Sequence, residues 1–305
     1  MNAATPSKDL LEVLQRRMHQ ERQLILNPAK QYLDDVAGLP PAPILVTELL
    51  TLFQDPNRDI DQVIQLISYE PALTAQILRT CNSVYFGGDQ PPEDIFEAVS
   101  KVGFYQVYCM VVSLFASKTK SMEGADKALN VDQLWRHSVA VAVSASVVAE
   151  ETGQTRELAF TAGLLHDIGK LVLASAERGR YAALIQRAKD EGASVRALER
   201  SSFAIDHAEL GGELMDRWKL PQEVVAAVRH HHDLDPAPPH EQRVASVHIG
   251  NIIAHQLLPE DLANTDFVIP STAALGILQL TSDDLPRLFY KAQAEMEKVK
   301  GMLEI

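Results

Sequence analysis

The sequence predicts an all-α protein, on three observations. Apolar residues recur at the three-to-four-residue spacing of helices along almost the whole chain. The strict alternation of apolar and polar residues that marks strands is nearly absent. A chain of 305 residues, 46% of them hydrophobic, is also long and apolar enough to bury a full core. We therefore expect a globular protein of packed helices.

Turn and capping residues divide the front half of the chain into short helices. We predict three of them between residues 43 and 82, because Asp55-Pro56, Asp59 and Pro71 are typical of helix ends and starts. A loop rich in Gly and Pro follows. Two further helices are predicted over residues 93–101 and 104–118, the second of them apolar enough to be central. The polar stretch 119–130 then marks a boundary between the two halves.

Longer helices are predicted in the rear half. Asp132 is expected to cap a helix that runs to about Thr152, and a continuous buried helix is predicted over residues 158–174. Asp206 and Glu209 form a capping box at the start of the next helix. The remaining predicted helices begin at Pro221, cover residues 242–258, and follow caps at Thr281 and Asp284. The predicted organisation is an N-terminal helix (residues 1–30), a front helical half (31–125), a rear helical half (126–258) and a C-terminal helical segment (259–305).

Charge and cysteine content exclude several classes of protein. With a formal net charge of −13, the chain lacks the clustered Lys and Arg that bind a nucleic-acid polymer or an acidic membrane surface. Cys81 and Cys109 lie in apolar helical runs, which favours buried thiols over a disulfide. No signal peptide opens the chain, and no stretch approaches the roughly 18 apolar residues that span a bilayer. We expect a cytoplasmic protein.

The predicted buried helix at 158–174 contains three polar residues: His166, Asp167 and Lys170. Burying an unpaired charge is so unfavourable that such groups are expected to face a partner, a metal ion or a water-filled cleft. Adjacent residues of a helix point about 100° apart, so His166 and Asp167 would flank a cleft or bridge a pair of metal ions. Lys170 lies one turn further on and pairs with Asp167 at i, i+3, or faces the same cleft.

Further histidines lie on core-facing positions of other predicted helices. His137 is in line with apolar residues of its helix, His231 and His232 continue another apolar stripe, and His207 occupies a first helical turn. Five histidines and one aspartate from four helices predict a site for a transition metal, with Fe, Mn, Zn and Ni as candidates. A buried polar network without metal remains an open alternative.

The other histidines do not belong to this constellation. His19, His230, His240 and His255 are expected at the surface. His248 lies one turn before Asn251 and is a weaker candidate for joining the site.

Seven motifs follow one another between Leu39 and His232. They are Leu39-Pro40-Pro41, Glu70-Pro71-Ala72-Leu73, Leu78-Arg79-Thr80-Cys81-Asn82-Ser83, Trp135-Arg136-His137-Ser138, Ala162-Gly163-Leu164-Leu165-His166-Asp167-Ile168-Gly169-Lys170, Asp206-His207-Ala208-Glu209-Leu210-Gly211 and Leu220-Pro221. In this order they resemble an HDOD domain. That family is related to the HD metal-dependent phosphohydrolases and to the HD-GYP phosphodiesterases that cleave cyclic di-GMP. The resemblance implies an all-α fold with a front helical subdomain packed on an HD-type helical bundle.

The resemblance also assigns roles to individual residues. It implies metal-ligand positions at His137, His166, Asp167, His207, His231 and His232, with Lys170 as the basic residue that follows the His-Asp pair. Two acidic positions of the related enzymes are amides in this chain, Gln133 and Asn251, and the Gly-Tyr-Pro motif is absent. A hydrolytic site of this kind needs two metal ions, and fewer carboxylates hold two divalent cations less well. We therefore expect a site that holds a single ion or none.

Three functions follow from this comparison. The resemblance implies a signalling module without established catalysis, which acts on a signalling protein in trans because the residues outside the match are too few for a receiver or kinase domain. The alternative is a metal-dependent phosphohydrolase acting on a nucleotide or another phosphoester, with Asp167 and Lys170 as its catalytic residues. A third reading is a sensor that binds a nucleotide without cleaving it.

Overall fold

The structure is a computed structural model, and it describes residues 28–35, 44–55, 59–68, 74, 77–78, 94–119, 129–234, 237–259 and 271–303. Every regular element in these ranges is helical, which confirms the all-α prediction. In chain order the helices are α1 (Pro28–Asp35), α2 (Ile44–Gln54), α3 (Ile60–Ser68), α4 (Ile95–Val102), α5 (Phe104–Thr119), α6 (Val131–Glu151), α7 (Arg156–Leu165), α8 (Ile168–Glu191), α9 (Val195–Phe203), α10 (His207–Arg217), α11 (Gln222–His230), α12 (Glu241–Leu257), α13 (Thr272–Ile277) and α14 (Leu285–Leu303).

Several predicted helix ends are confirmed. Helix α2 ends just before Asp55, and the Asp59 carboxylate accepts a hydrogen bond of 3.1 Å from the backbone N–H of Asp61 at the start of α3. Thr281 and Asp284 form the capping box that precedes α14. The predicted helix start at Pro71, and Cys81, lie outside the described residues. Cys109 is a buried free thiol, as predicted.

The cap of α6 differs from the prediction. Asn130, not Asp132, is its N-cap: the Asn130 side chain accepts a 3.0 Å hydrogen bond from the backbone N–H of Gln133. Asp132 lies one residue inside the helix and is exposed, where its charge still favours the positive end of the helix dipole. Asn130 and Asp132 are both residue types that cap helices, and the extended backbone at Asn130 makes that residue the N-cap.

The predicted continuous helix over residues 158–174 is wrong, because the chain breaks at the two residues that matter most. Helix α7 ends at Leu165, α8 begins at Ile168, and His166 and Asp167 form the turn between them. The His166 ring donates through Nδ1 to the Gly163 carbonyl at 2.7 Å. The turn lets both side chains approach a common interior point, which adjacent positions on an unbroken helix would not allow.

Helix α6 is the centre of the rear half, and α7 and α12 pack closely against it. A Cβ on Gly163 would lie 2.8 Å from the Ala142 Cα, and a Cβ on Gly250 would lie 2.6 Å from the Ala145 backbone nitrogen. Both contacts bring helix backbones together at places where any larger residue would push them apart. They set His137 of α6 against the turn that carries His166.

One hydrophobic core contains residues of both halves, among them Leu49 of α2, Tyr108 of α5 and Leu173 of α8. A second cluster lies between α6, α12 and the C-terminal helices, with Val148 and Leu288 among its members. The predicted boundary between front and rear halves stays a prediction.

Among the described residues, one segment, Arg156–Glu191, is long and apolar enough to cross a membrane, whereas we predicted none from the sequence. It comprises α7 and α8, and its apolar window is 100% buried within the protein. A bent pair formed by α4 and α5, with an angle of 101°, passes the same test only if it is counted as one broken span. Buried core helices commonly meet these criteria, so the finding is a weak indication of a membrane segment.

Candidate metal centre

All six predicted ligand residues meet at one place in the interior. They form two groups, one of His137, His166 and Asp167 and one of His207, His231 and His232, and within each group the ligand atoms lie within 4.8 Å of one another. Asp167 connects the groups. Its Oδ2 lies 3.4 Å from His166 Nε2, while its Oδ1 lies 3.3 Å from His207 Nε2 and 3.9 Å from His231 Nε2.

Five of the six candidate ligands are almost fully buried. His232 is partly buried. The exposed fractions of the other five residues are 3% for His137, 1% for His166, 2% for Asp167, and 0% for His207 and His231.

Three of the rings are held so that Nε2 faces the centre. His166 and His231 donate through Nδ1 to the main-chain carbonyls of Gly163 and Val228, each at 2.7 Å. His207 donates through Nδ1 to the Glu199 carboxylate at 2.6 Å. Metal-binding histidines are usually fixed in this manner, because a hydrogen bond at one ring nitrogen leaves the lone pair of the other available.

The residues fit a metal ion. The Nε2 atoms of His166 and His231 are buried without a hydrogen-bond partner, although buried polar atoms are nearly always paired. Both nitrogens point to the region of Asp167, so a cation bound there would satisfy them. Imidazoles with one carboxylate suit Fe, Mn, Zn or Ni better than Ca or Mg.

The charges of the centre favour the metal-binding forms of Asp167, His137 and His231. Burial raises the pKa of Asp167, but His166, Lys170 and His207 outweigh it and hold that pKa well below its usual range. Burial, and then the neighbouring His166, lower the pKa of both His137 and His231, so these rings are neutral. An ionised carboxylate among neutral imidazoles is the protonation state in which all donor atoms are available. For His207, burial lowers the pKa, but the neighbouring Glu199 outweighs it and raises that pKa, which favours the protonated ring.

Lys170 pairs with Asp167, as predicted from their spacing. The Lys170 Nζ lies 2.7 Å from Asp167 Oδ2, and both side chains are almost fully buried. The ammonium therefore neutralises part of the negative charge that a cation would otherwise find at Oδ2.

The two amides that replace expected acids occupy different surroundings. Gln133 lies in the first turn of α6 and is partly buried. Asn251 of α12 is 4% exposed, and its side-chain oxygen is buried without a hydrogen-bond partner. Neither residue contributes a negative charge to the centre.

The expectation that His255 lies at the surface is wrong. It is partly buried, with its ring centroid 4.7 Å from that of His137, because α12 packs along α6 and brings its last turn beside the first turns of α6. His248, the weaker candidate, is 3% exposed and donates through Nδ1 to the His231 carbonyl at 2.9 Å. His230 is also partly buried, His240 is exposed, and His19 lies outside the described residues.

Sequence reasoning missed Glu199, which is fully buried beside His207. The signal was present in the spacing, because Glu199 falls in line with Val195, Leu198 and Phe203, the buried stripe of α9.

A network centred on Arg196 joins the two segments that carry His207 and His231-His232. Arg196 donates to Asp206, the N-cap of α10, at 2.7 Å and to Asp233, which follows His232, at 2.8 Å. Arg200 reaches Asp206 as well, but its side chain is 54% exposed against 16% for Arg196. Burial raises the pKa of Asp206, yet the hydrogen bond from the Glu209 backbone, His207 and Arg196 together hold it below its usual value.

We expect Arg196→Met to lower the free energy of unfolding by about 1.5–3 kcal/mol, the usual cost of losing hydrogen bonds to charged groups. Arg200→Met is the matched control and should cost less than about 1 kcal/mol, because exposed ion pairs contribute little. Urea denaturation of the two variants measures the difference. Equal losses would show that Arg196 has no special role in joining the segments.

The all-helical fold and the buried cluster of histidines with one aspartate are consistent with the HD-type bundle that the resemblance implies. The model of the HDOD domain family matches residues 39–234, and the chain belongs to this family. A solved structure from Marinobacter aquaeolei, of a protein provisionally assigned to signal transduction, superposes with a TM-score of 0.73 over 93% of this chain and 66% of that one. At 20% identity the likeness shows the fold alone.

Curated relatives match parts of the chain. An uncharacterised protein of Treponema pallidum is 28% identical over 207 residues, which are 67% of this chain and 40% of that protein. Ribonuclease Y of Thermus thermophilus is 38% identical over 102 residues, 33% of this chain and 13% of the ribonuclease. The chain thus spans less than half the length of either relative.

Proposed function

We propose that this chain is a signalling protein in which the HD-type centre binds one metal ion in the protein interior and does not turn over a phosphoester. The burial of the donor set carries the proposal: five of its six side chains are at most 3% exposed. A substrate phosphate would have to reach the ion past these buried side chains, and an ion held by four protein donors has no position open for water or substrate.

The count of negative charges supports one ion over two. The donor set includes a single carboxylate, Asp167, and Lys170 lies 2.7 Å from one of its oxygens. Two divalent ions side by side repel each other and need several carboxylates to hold them. His166, Asp167, His207 and His231 would hold the single ion, and its charge would bind the turn after α7 to helices α10 and α11.

The signalling output is then a contact with a partner protein in trans. In this proposal the metal ion holds α7, α8, α10 and α11 in one arrangement, and the helical surface presented to the partner depends on that arrangement. Binding of a nucleotide without cleavage is a further form of the same role, and it would appear as thermal stabilisation without product.

A phosphohydrolase is the second candidate. The two oxygens of Asp167 face the two histidine groups separately, an arrangement that also suits a carboxylate bridging two ions. The match to ribonuclease Y, whose name describes cleavage of RNA, favours phosphoester chemistry in the shared segment.

Metal content and turnover separate the two candidates. Protein purified without chelator is expected to contain about one transition-metal ion per chain by elemental analysis, because the donor set satisfies one ion. His166→Ala should lose the ion, and His240→Ala, which changes an exposed histidine outside the centre, should retain it.

The same preparations are then incubated with Mn²⁺ or Fe²⁺ and with cyclic dinucleotides, nucleoside phosphates and RNA. We expect no product above the background of the Asp167→Ala variant. Turnover by the wild-type protein that disappears in Asp167→Ala would establish the hydrolase and contradict our proposal.

A further inference from the structure

Glu199 is a carboxylate in a fully buried position, and its oxygens are satisfied by two residues. The Tyr181 hydroxyl donates to Oε1 at 2.7 Å. Oε2 accepts from the His207 backbone N–H at 2.9 Å and from the His207 Nδ1 at 2.6 Å. Tyr181, Glu199 and His207 are each 0% exposed. Burying a carboxylate costs so much free energy that it needs compensating hydrogen bonds, and the three bonds to Glu199 therefore indicate a specific role.

The contacts of Glu199 determine how His207 faces the centre. Because Nδ1 donates to Glu199, Nε2 is the atom that lies 3.3 Å from Asp167 Oδ1 and 3.0 Å from His232 Nε2. His166 and His231 use neutral main-chain carbonyls for the same purpose. Among these three rings, His207 alone is held by a negative charge, and a carboxylate in this position makes an imidazole a stronger metal ligand.

The local fold is built to bring Glu199 to this place. Helix α8 bends at Arg178, which has a φ of +38°, and Tyr181 follows the bend as a fully buried side chain. Gly192 ends α8 with a φ of +61°, a conformation that glycine adopts without strain, and the chain then returns as α9. The second half of α8 and α9 thus carry Tyr181 and Glu199, the two residues whose hydrogen bonds hold His207.

We infer that Glu199, held by Tyr181, is a positioning residue of the metal centre: it directs Nε2 of His207 to the ion and supplies negative charge that Gln133 and Asn251 do not. The inference rests on the metal-binding function proposed above. In this role Glu199 does not coordinate the ion. Its charge strengthens His207 as a ligand through the hydrogen bond to Nδ1.

Titration of the full-length apoprotein with Co²⁺ tests the inference. Glu199→Gln keeps the size of the side chain and removes its charge, and we expect it to weaken Co²⁺ binding by about 10–100-fold, the usual effect of losing a carboxylate behind a ligand. Tyr181→Phe frees Oε1 and is expected to weaken binding by up to about 10-fold. Tyr108→Phe is the matched control, since the buried Tyr108 hydroxyl bonds to Thr161 instead, and it should leave Co²⁺ binding unchanged.

Two spectra distinguish positioning from a general loss of structure. The visible absorption of bound Co²⁺ should change in Glu199→Gln and remain unchanged in Tyr108→Phe. Nitrogen-15 NMR of the histidine rings should show the proton of His207 on Nδ1 in the wild-type protein and a mixture of ring forms in Glu199→Gln.

Each outcome decides a separate question. Equal Co²⁺ affinity and an identical spectrum in a folded Glu199→Gln variant would overturn the inference and leave the proposed function intact. If Glu199→Gln does not fold, Tyr181→Phe decides, and unchanged affinity in that variant overturns the inference. Failure of the wild-type protein to bind Co²⁺ or any other transition metal would overturn both.

Discussion

Asp167→Asn is expected to abolish metal binding and to lower the free energy of unfolding of the apoprotein by about 3–5 kcal/mol, because it leaves the buried ammonium of Lys170 without its counter-charge. The Lys170 Nζ and the Asp167 carboxylate are 2.7 Å apart and nearly free of solvent. Asp167 also contacts rings of both histidine groups, and it is the one carboxylate of the donor set.

Lys170→Met is the informative comparison. It removes the positive partner but leaves no unpaired cation, and Nε2 of His166 and of His207 still lies within 3.4 Å of the carboxylate. We expect a smaller loss of stability and metal affinity at least equal to that of the wild type, since the charge at Oδ2 is no longer shared. The double variant should be more stable than Asp167→Asn alone, because the unpaired ammonium is gone.

Urea denaturation of the four metal-free proteins and elemental analysis of the same preparations measure these effects. If Asp167→Asn is as stable as the wild type, the buried ion pair does not contribute as argued, and if it retains the metal, Asp167 is not a ligand.

Gly169→Ala is the second change with a large expected effect. A Cβ at this position would lie 2.0 Å from the carbonyl oxygen of His207, so α8 and the start of α10 would have to separate. We expect a loss of about 3 kcal/mol in the free energy of unfolding, the upper end of the usual cost of overpacking. Metal affinity should fall as well, since the same displacement moves His207 away from Asp167.

Gly179→Ala is the matched control in the same helix. No atom lies within 4 Å of the Cβ it would add, and we expect the free energy of unfolding to stay the same or rise by up to about 1 kcal/mol. Thermal and urea denaturation of both variants, with Co²⁺ titration, provide the measurements. A Gly169→Ala protein as stable as Gly179→Ala would show that the backbones of α8 and α10 are not tightly apposed.

The burial of the donor set and the replacement of two expected acids by amides both favour a single-ion site over a catalytic metal pair. The six candidate ligands include one carboxylate, which pairs with a lysine, and five of the six are almost fully buried, as we expect of the proposed single-ion site. Glu199 adds to this picture, because a charge behind a ligand strengthens binding without opening a position for substrate.

The sequence by itself determined the all-α fold, most helix positions and the set of residues at the centre. These features follow from local rules: apolar residues at helical spacing mark the buried faces, and proline, aspartate and threonine mark helix ends. His137 and His231 were predicted from the apolar stripes that they continue and His207 from its place in a first helical turn, and the resemblance to the HDOD family assigned the ligand positions.

Only the tertiary structure decided how those faces meet. The turn at His166 and Asp167 lies in a sequence that is apolar enough to continue as one helix, and packing against α6 and α10 breaks it. Glu199 is buried by contact with His207 at the start of the next helix, α10, and His255 by contact with His137 of the distant helix α6. Helical periodicity tells which side of a helix is buried, but the neighbour on that side depends on how the whole chain packs.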